Sequence, residues 1–342
     1  MARILHIADI HLGARPLGFA ERSSGLVEAF NQALDYAVEE RVDLVLIAGD
    51  LFDVPKPEGQ YVKEAVRAFK RLASQGIPVI AAHGEHDTPG RRSSTMLEVL
   101  DEAVDGFHAP QPPRGSGIAE AVEATTITLK GVTVAVFPFF RTSIAERRRL
   151  AGALLQAYDK KLSSIRGPSV FLGHFSLDSV QPFDYIASPG SLPRASYAAL
   201  GHVHRRSIDL DSPVPYAYPG SLQPLNIDEA RHGFKRGPLL VDLDGDKPSI
   251  VELPVDTPSH VFETLDLSAR RSTVAVAVKN AVARAAAKAG QGGVIVLTVV
   301  IDPSVPQRLV YNAASDAGRA HGVLVKVILE HASPGGEGKT RG

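Results

Sequence analysis

Along the first third of the chain, short apolar runs alternate with longer stretches whose apolar residues recur at helical spacing. RILHIAD (3–9) predicts a buried strand. SSGLVEAFNQALDYAVEE (23–40) follows, with Leu26, Phe30, Ala33, Leu34, Ala37 and Val38 in one stripe, a period that a helix brings to a single face. DLVLIAGD (43–50) predicts the next strand. GQYVKEAVRAFKRLASQG (59–76) predicts the next helix, apolar at Val62, Ala65, Val66, Phe69 and Leu72 and closed by Gly76. IPVIAA (77–82) predicts a third strand, and a third helix falls within 91–104, carrying Met96, Leu97, Leu100 and Val104. Strands that are apolar at nearly every position are covered on both faces, so this β-α-β-α-β order predicts a layered α/β sheet.

The pattern then changes. TTITLKGVTVAVFPFF (125–140) predicts an antiparallel hairpin turning at Lys130-Gly131, followed by an Arg- and Leu-rich helix over 144–162. PSVFLGHF (168–175), SYAALGHVH (196–204), YAYPGSLQP (216–224) and GPLLVDLDGDKPSIVELP (237–254) predict further strands. After Pro254 and Pro258 the pattern resets into a second β-α-β-α-β run, with strands over HVFETLDLS (260–268), 294–301 and 323–329 and helices over 271–289 and 306–321. The expected organisation is one domain over 1–254, a small α+β domain over 258–330 and a disordered, glycine-rich tail over 331–342.

Composition narrows the chemistry. The 342 residues carry a formal net charge of −1, so any basic surface for nucleic acid must be local. There is no cysteine, which excludes disulfides and thiolate metal sites and leaves His, Asp and Glu as ligands. No run reaches the length of a membrane span, and the apolar N-terminal stretch is broken by His6 and Asp9, so a cytoplasmic protein is expected.

Five of the apolar runs end alike: a turn, then residues of metal-ligand type. They are IADIH (Asp9, His11), IAGD (Asp50), AAHGEHD (Glu85, His86), FLGH (His174) and LGHVH (His202, His204). In open α/β sheets sites form beyond the carboxyl ends of strands, and neighbouring strands lie only about 5 Å apart, so these side chains are expected to converge. Carboxylates and imidazoles crowded together repel or shift one another's pKa unless cations neutralise them. Mixed His and carboxylate sets suit Mn, Fe or Zn, and a central aspartate among at least seven candidate ligands predicts two ions about 3.5–4 Å apart.

Written as motifs, the segments are Asp9-x-His11, Gly49-Asp50-x-x-Asp53, Gly84-Glu85-His86-Asp87, Gly173-His174 and Gly201-His202-x-His204. In that order they resemble the calcineurin-like metallophosphoesterases. HIADIHLG, LIAGDLFD, ALGHVHR and YPGSL are more specifically similar to the SbcD-type DNA double-strand-break repair nucleases of bacteria and archaea. The resemblance implies a layered α/β/β/α metallophosphoesterase sandwich with a small α+β capping domain. It implies a Mn-dependent two-metal phosphodiesterase, a DNA exo/endonuclease. The first metal would be held by Asp9, His11, Asp50 and His204, and the second by Asp50, Glu85, His174 and His202. His86 would face the scissile phosphate, and Asp53 would orient a histidine or water. Relatives form homodimers and work with a coiled-coil SMC-like ATPase, so a homodimer through the helices over 59–76 and 91–104 and such a partner are also implied, although Met96, Leu97 and Leu100 suit an internal core equally well.

One residue departs from the family pattern, which has asparagine where this chain has Glu85. Asparagine offers a neutral carbonyl oxygen, whereas glutamate adds a full negative charge beside the second cation. Slower turnover is the expected consequence. Two other readings stay open: a phosphoesterase for small nucleotides, and a non-catalytic nuclease-like scaffold. Among the basic residues, Arg91, Arg92, Arg205 and Arg206 border the motif loops and are expected to meet DNA phosphates, whereas ERRR (146–149) reads as a solvated helix face. His6 is expected to be a core histidine, and His83 either supports a ligand or stands by.

Overall fold

The computed structural model describes residues 2–90, 94–245, 247–269 and 273–332; Arg91, Arg92 and the expected tail from 333 fall outside these. In chain order the first elements are β1 (Ala2–Ile7), α1 (Ser23–Glu39), β2 (Leu44–Ala48), α2 (Gly59–Ser74), β3 (Val79–Ala82), α3 (Met96–Ala103) and β4 (Phe107–His108). There follow α4 (Ile118–Ala124), β5 (Thr126–Leu129), β6 (Val132–Val136), α5 (Ile144–Leu162), β7 (Ser169–His174), β8 (Tyr197–Gly201), β9 (Ser207–Asp209), β10 (Tyr216–Tyr218), α6 (Ile227–His232), β11 (Leu239–Leu243) and β12 (Ser249–Glu252). The last are β13 (His260–Leu267), α7 (Val274–Ala289), β14 (Val294–Ile301), α8 (Gln307–His321) and β15 (Leu324–His331).

The chain divides into two compact units. One comprises Met1–Leu225 with Gly233–Asp256, and the other comprises Asn226–His232 with the residues from Thr257 onward. In the first, two six-stranded sheets are ordered β12-β11-β1-β2-β3-β4 and β5-β6-β7-β8-β10-β9. The strands β1 to β4 run parallel, as do β6, β7, β8 and β10. Each parallel set therefore sends its carboxyl ends to one edge.

Three apolar layers make this unit an α/β/β/α sandwich. Along β1 and β2, Leu5, Ile7, Val45 and Ile47 face outward onto Phe30, Leu34, Phe69 and Leu72 of α1 and α2. The alternate residues Ile4, Leu44, Leu46 and Ala48 face inward, where they meet Val134, Val170, Leu172 and Ala199 of the second sheet. Beyond that sheet, Phe171 and Ala198 pack on Leu154, Leu155 and Tyr158 of α5. Two-sided burial explains why these strands are uninterrupted apolar runs rather than alternating ones. The same packing places Leu97 and Leu100 of α3 in the core, while Met96 is only half-buried. α3 starts five residues inside the predicted window because Thr95 caps it, its hydroxyl accepting from the Glu98 N–H while the Glu98 carboxylate accepts from the Thr95 N–H.

The strands end earlier than their hydrophobic runs suggest. β1 stops at Ile7 and β2 at Ala48, because Asp9, His11 and Asp50 adopt φ of about +50°, left-handed backbone incompatible with a strand. β8 stops at Gly201, with His202 at φ 88°. The short helix α4, from a Pro- and Gly-rich region, has no counterpart in the sequence reading.

In the second unit β13, β14 and β15 form an all-parallel sheet, with α7 and α8 as the crossover helices. Val278, Val282 and Ala285 of α7 and Val310 and Ala314 of α8 bury the Ile295, Leu297, Val299 face of β14. Over 258–330 strands and helices alternate in α/β fashion, and α6 groups with this unit. No helix among the described residues is long and apolar enough to cross a membrane.

Close approach of the two sheets has a sequence requirement at Gly201. A Cβ there would overlap the carbonyl oxygen of Ala48 and press on Ala8. Gly201→Ala should therefore lower stability by about 1–3 kcal/mol, the usual cost of overpacking. Thermal unfolding checks this, and an unchanged midpoint would contradict the close approach.

Candidate metal centre

The carboxyl edges of the two sheets meet, and the five motif loops project from them. Backbone hydrogen bonds zip the loops after β1 and β2 together: Asp9 N–H donates to Gly49 O, Ile10 and His11 to Asp50 O, and Leu12 to Leu51 O, at 2.9–3.1 Å. That pairing aims Asp9 and Asp50 into the seam between the sheets, with side chains 0% and 2% exposed. Among the described residues seven non-glycine positions have positive φ, and four are Asp9, His11, Asp50 and His202. Strained backbone concentrated at one end of a fold marks where side-chain direction has been favoured over local stability.

The second sheet supplies the imidazoles. His174, the last residue of β7, donates its Nδ1–H across the seam to Ala48 O at 2.8 Å, which fixes the ring and turns Nε2 to Asp50 Oδ2 at 3.2 Å. Gly49 (φ +84°) makes room, since a Cβ there would overlap the His174 ring. The His202 N–H donates to Asp9 Oδ1 and Oδ2 at 3.0 and 3.2 Å. The ring nitrogens of His11 and His204 face each other, Nε2 to Nε2, at 3.2 Å. The loop after β3 completes the pocket. The His86 N–H donates to Asp50 Oδ1 at 2.8 Å, and the His86 ring donates through Nδ1 to Asp53 O at 2.7 Å.

Every ligand expected from the sequence therefore lies at this edge, but the groupings differ in part from the expected sets. Ligand atoms of Asp9, His11 and His204 lie within 4.8 Å of one another, and so do those of Asp9, Asp50 and His174, of Asp50, Glu85 and His86, and of His11, Asp53 and His86. His202 falls in none of these groups; its Nδ1 is 3.9 Å from Glu85 Oε1 and its Nε2 is 3.4 Å from Asp184 Oδ2. Asp53, with Oδ1 at 3.3 Å from His11 Nδ1, stands against that histidine as well as His86.

Electrostatics show what the cluster lacks. Burial disfavours a charge on His174, but the Asp50 and Asp9 carboxylates outweigh it and hold the imidazole protonated up to about 10. Burial likewise disfavours the Asp50 charge, and His174, His11 and His86 reverse the balance and keep it ionised well below the usual carboxylate range. His202 is pushed down by burial and by the charge on His174. The buried nitrogens His174 Nε2 and His11 Nδ1 face Asp50 Oδ2 at 3.2 Å and Asp53 Oδ1 at 3.3 Å without the alignment of a hydrogen bond. Deprotonated imidazoles presenting lone pairs beside ionised carboxylates are what divalent cations require, so the donor set fits them.

Two contributors have no role in the sequence analysis. Asp87 is buried and accepts from the N–H groups of Phe52, Gly84 and Leu51 at 3.1–3.3 Å, tying the loops after β2 and β3 together. Burial, with the Asp50 charge nearby, pushes its carboxyl up to about 6 against those hydrogen bonds. Arg141, beyond β6, donates to Glu85 O and, at 3.0 Å, to Thr88 O. The apolar run FPFF ahead of Arg141 has the same strand-then-charge form as the five motifs and is the one cue that would have found it.

The remaining expected residues have structural partners. His6 is buried against the Tyr197 hydroxyl at 2.8 Å, and His83 against Thr95 Oγ1 at 2.8 Å; burial lowers both to about 3. Arg206 is 6% exposed, donating to Glu252 Oε2 and Gly237 O at 2.8 Å, and Arg205 donates to Val180 O at 2.6 Å. In the 146–149 run, Arg149 pairs with Glu146 at 2.7 Å and Arg148 lies 3.9 Å over the Tyr185 ring.

A sandwich with carboxylates and imidazoles gathered where its sheets meet is a metallohydrolase scaffold. The calcineurin-like phosphoesterase family model matches residues 2–206, and the chain belongs to that family. Over 256 residues it is 46% identical to the DNA double-strand break repair protein Mre11 of Aeropyrum pernix, covering 75% of this chain and 61% of that one. The Mre11 proteins of Sulfurisphaera tokodaii (30% identical, 80% and 67% covered) and Saccharolobus solfataricus (31%, 72% and 62%) are also similar. The chain thus spans about three fifths to two thirds of the length of these relatives.

Because ligation needs His174 neutral, a cation taken up near neutral pH must displace the proton that Asp50 and Asp9 hold there. Mn2+ binding to chelator-stripped protein should strengthen from about pH 6 to about pH 9 and release protons, read calorimetrically in buffers of different ionisation enthalpy. Affinity independent of pH and of buffer would contradict this.

Proposed function

We propose that this chain is a two-metal phosphodiesterase that cleaves DNA in double-strand-break repair, with Mn the preferred ion. The observation that carries the reading is the burial of Asp9 and Asp50 at one seam, ringed by His11, His174 and His204. The DNA substrate is supported by the likeness to proteins named for double-strand break repair.

Asp9, His11, Asp50 and His204 would hold one cation, and Asp50, Glu85, His174 and His202 the other, with Asp50 common to both. Bound there, paired divalent ions provide Lewis acidity and lower the pKa of water enough to yield a nucleophile near neutral pH. The protein's own groups then position and protonate. His86, half-exposed, spends Nδ1–H on Asp53 O, which leaves Nε2 to carry a proton to the departing oxygen or to steady charge on the phosphoryl group. Asp53 keeps that ring and His11 in register. The expected homodimer and coiled-coil ATPase partner extend the same proposal.

Glu85 modifies it. Its Oε1 stands 3.9 Å from both His202 Nδ1 and His86 Nε2, so an extra negative charge lies where a phosphodiester must approach. A pocket closer to neutral attracts and polarises a phosphodiester less, so turnover slower than in an asparagine-bearing relative is expected.

The test compares single-stranded DNA, duplex DNA and a generic bis-ester, with and without Mn2+. Mn-dependent cleavage of DNA in preference to the bis-ester is expected. Preference for the bis-ester would favour a small phosphoesterase, and no cleavage of any substrate would favour a scaffold. Asp50→Asn should lower DNA cleavage by about 100-fold or more, since loss of even an outer partner of a ligand costs 10–100-fold. Glu85→Asn should raise it several-fold, and a fall would refute the charge argument.

A further inference from the structure

The loop between β7 and β8 brings a carboxylate to the metal centre that no motif contains. Asp184 Oδ2 lies 3.4 Å from His202 Nε2, on the side of the ring away from Glu85. We infer that Asp184 is a positioning residue: by accepting Nε2–H it fixes the tautomer and rotation of His202, so that Nδ1 offers its lone pair to the second cation. This deepens the metal-binding reading above and rests on it, but is independent of which phosphodiester is cleaved.

Three observations make the placement a built one. First, His202 cannot drift: its N–H is committed to the Asp9 carboxylate and its backbone is left-handed, so the ring leaves the chain in one direction. Second, the loop bearing Asp184 is tied down on both sides. The Asp184 carbonyl accepts from the buried Ser176 hydroxyl, and Ile186 N–H donates to Ser176 O at 2.9 Å. Tyr185 O accepts from Arg148 Nε at 2.8 Å, with the Arg148 guanidinium stacked on the Tyr185 ring, and Asp178 N–H donates to Ala187 O at 3.0 Å. Third, three of the other imidazoles already stand against an orienting oxygen: His174 donates to Ala48 O, His86 donates to Asp53 O, and His11 Nδ1 lies 3.3 Å from the Asp53 carboxylate. Asp184 supplies the corresponding partner for His202.

A neutral imidazole has one N–H and one lone pair, so an acceptor at Nε2 leaves the lone pair on Nδ1. Glu85 Oε1 stands 3.9 Å from Nδ1, a separation suited to two ligands sharing one ion rather than to a hydrogen bond. Partners that orient ligating histidines in this way typically change metal affinity by 10–100-fold when removed.

Two measurements on the full chain test this. Calorimetric titration of Mn2+ into chelator-stripped protein should show two sites in the wild type. Asp184→Ala should weaken one of them by about 10–100-fold and spare the other. Asp184→Asn, whose amide oxygen still accepts, should restore most of the lost affinity. In the metal-free protein, imidazole nitrogen chemical shifts should report Nε2-protonated His202 in the wild type and in Asp184→Asn, and a mixture of tautomers in Asp184→Ala. The inference is overturned if the wild type takes only one Mn2+ or none, or if Asp184→Ala binds both as the wild type does. It also fails if both variants lose affinity together with thermal stability, which would mean that the loop alone matters. Absence of DNA cleavage by a wild-type protein that binds two Mn2+ would sink the nuclease reading and leave this pairing intact.

Discussion

Two carboxylates, Asp9 and Asp50, are held out of water at the seam between two sheets, and the surrounding structure answers to their charge. A carboxylate charge is not kept in an apolar setting without compensation. Compensation comes in layers. Backbone N–H groups of His202 and His86 point at them, His174 keeps a proton between them, and the cations that the imidazoles invite would replace that proton. The left-handed backbone at Asp9, His11, Asp50 and His202 is explained by the same constraint: the side chains reach the seam only if the strands break off abruptly.

Much of this was legible in the sequence because of where the chemistry sits. A strand buried on both faces writes itself as an uninterrupted apolar run, so a ligand-type residue after each run stands out, as in IAGD and FLGH. The layered architecture was legible for the same reason. What stayed hidden depends on long-range geometry. No periodicity indicates that His174 reaches Ala48 O across 126 positions, or that Asp87 closes the loop beside Leu51 and Phe52. The left-handed turns, which end β1 and β2 before their apolar runs finish, occur at Asp and His rather than glycine, so composition did not announce them. The seven-residue α4 is too short to establish a period.

Positive charge near a site is a weak guide to what the site binds. Arg205 and Arg206 follow the histidine pair directly and look poised for phosphates, but Val180 O, Gly237 O and Glu252 engage them within the fold. The formal charge of the whole chain is −1. Under the DNA reading proposed above, attraction for a polyanion at this edge would draw on the cations as well, and the additional carboxylate at Glu85 would oppose it.

The seam has one more consequence. Asp9 and Asp50 come from one sheet and His174, His202 and His204 from the other, so the candidate ligand set is divided between two layers joined by apolar contacts and a few hydrogen bonds, among them His174 to Ala48, His202 to Asp9 and His6 to Tyr197. Apolar contacts resist separation but oppose sliding only weakly, whereas a bound ion tolerates neither. Cations seated there would act as rivets between the layers, coupling the rigidity of the sandwich to occupancy of its own reactive edge.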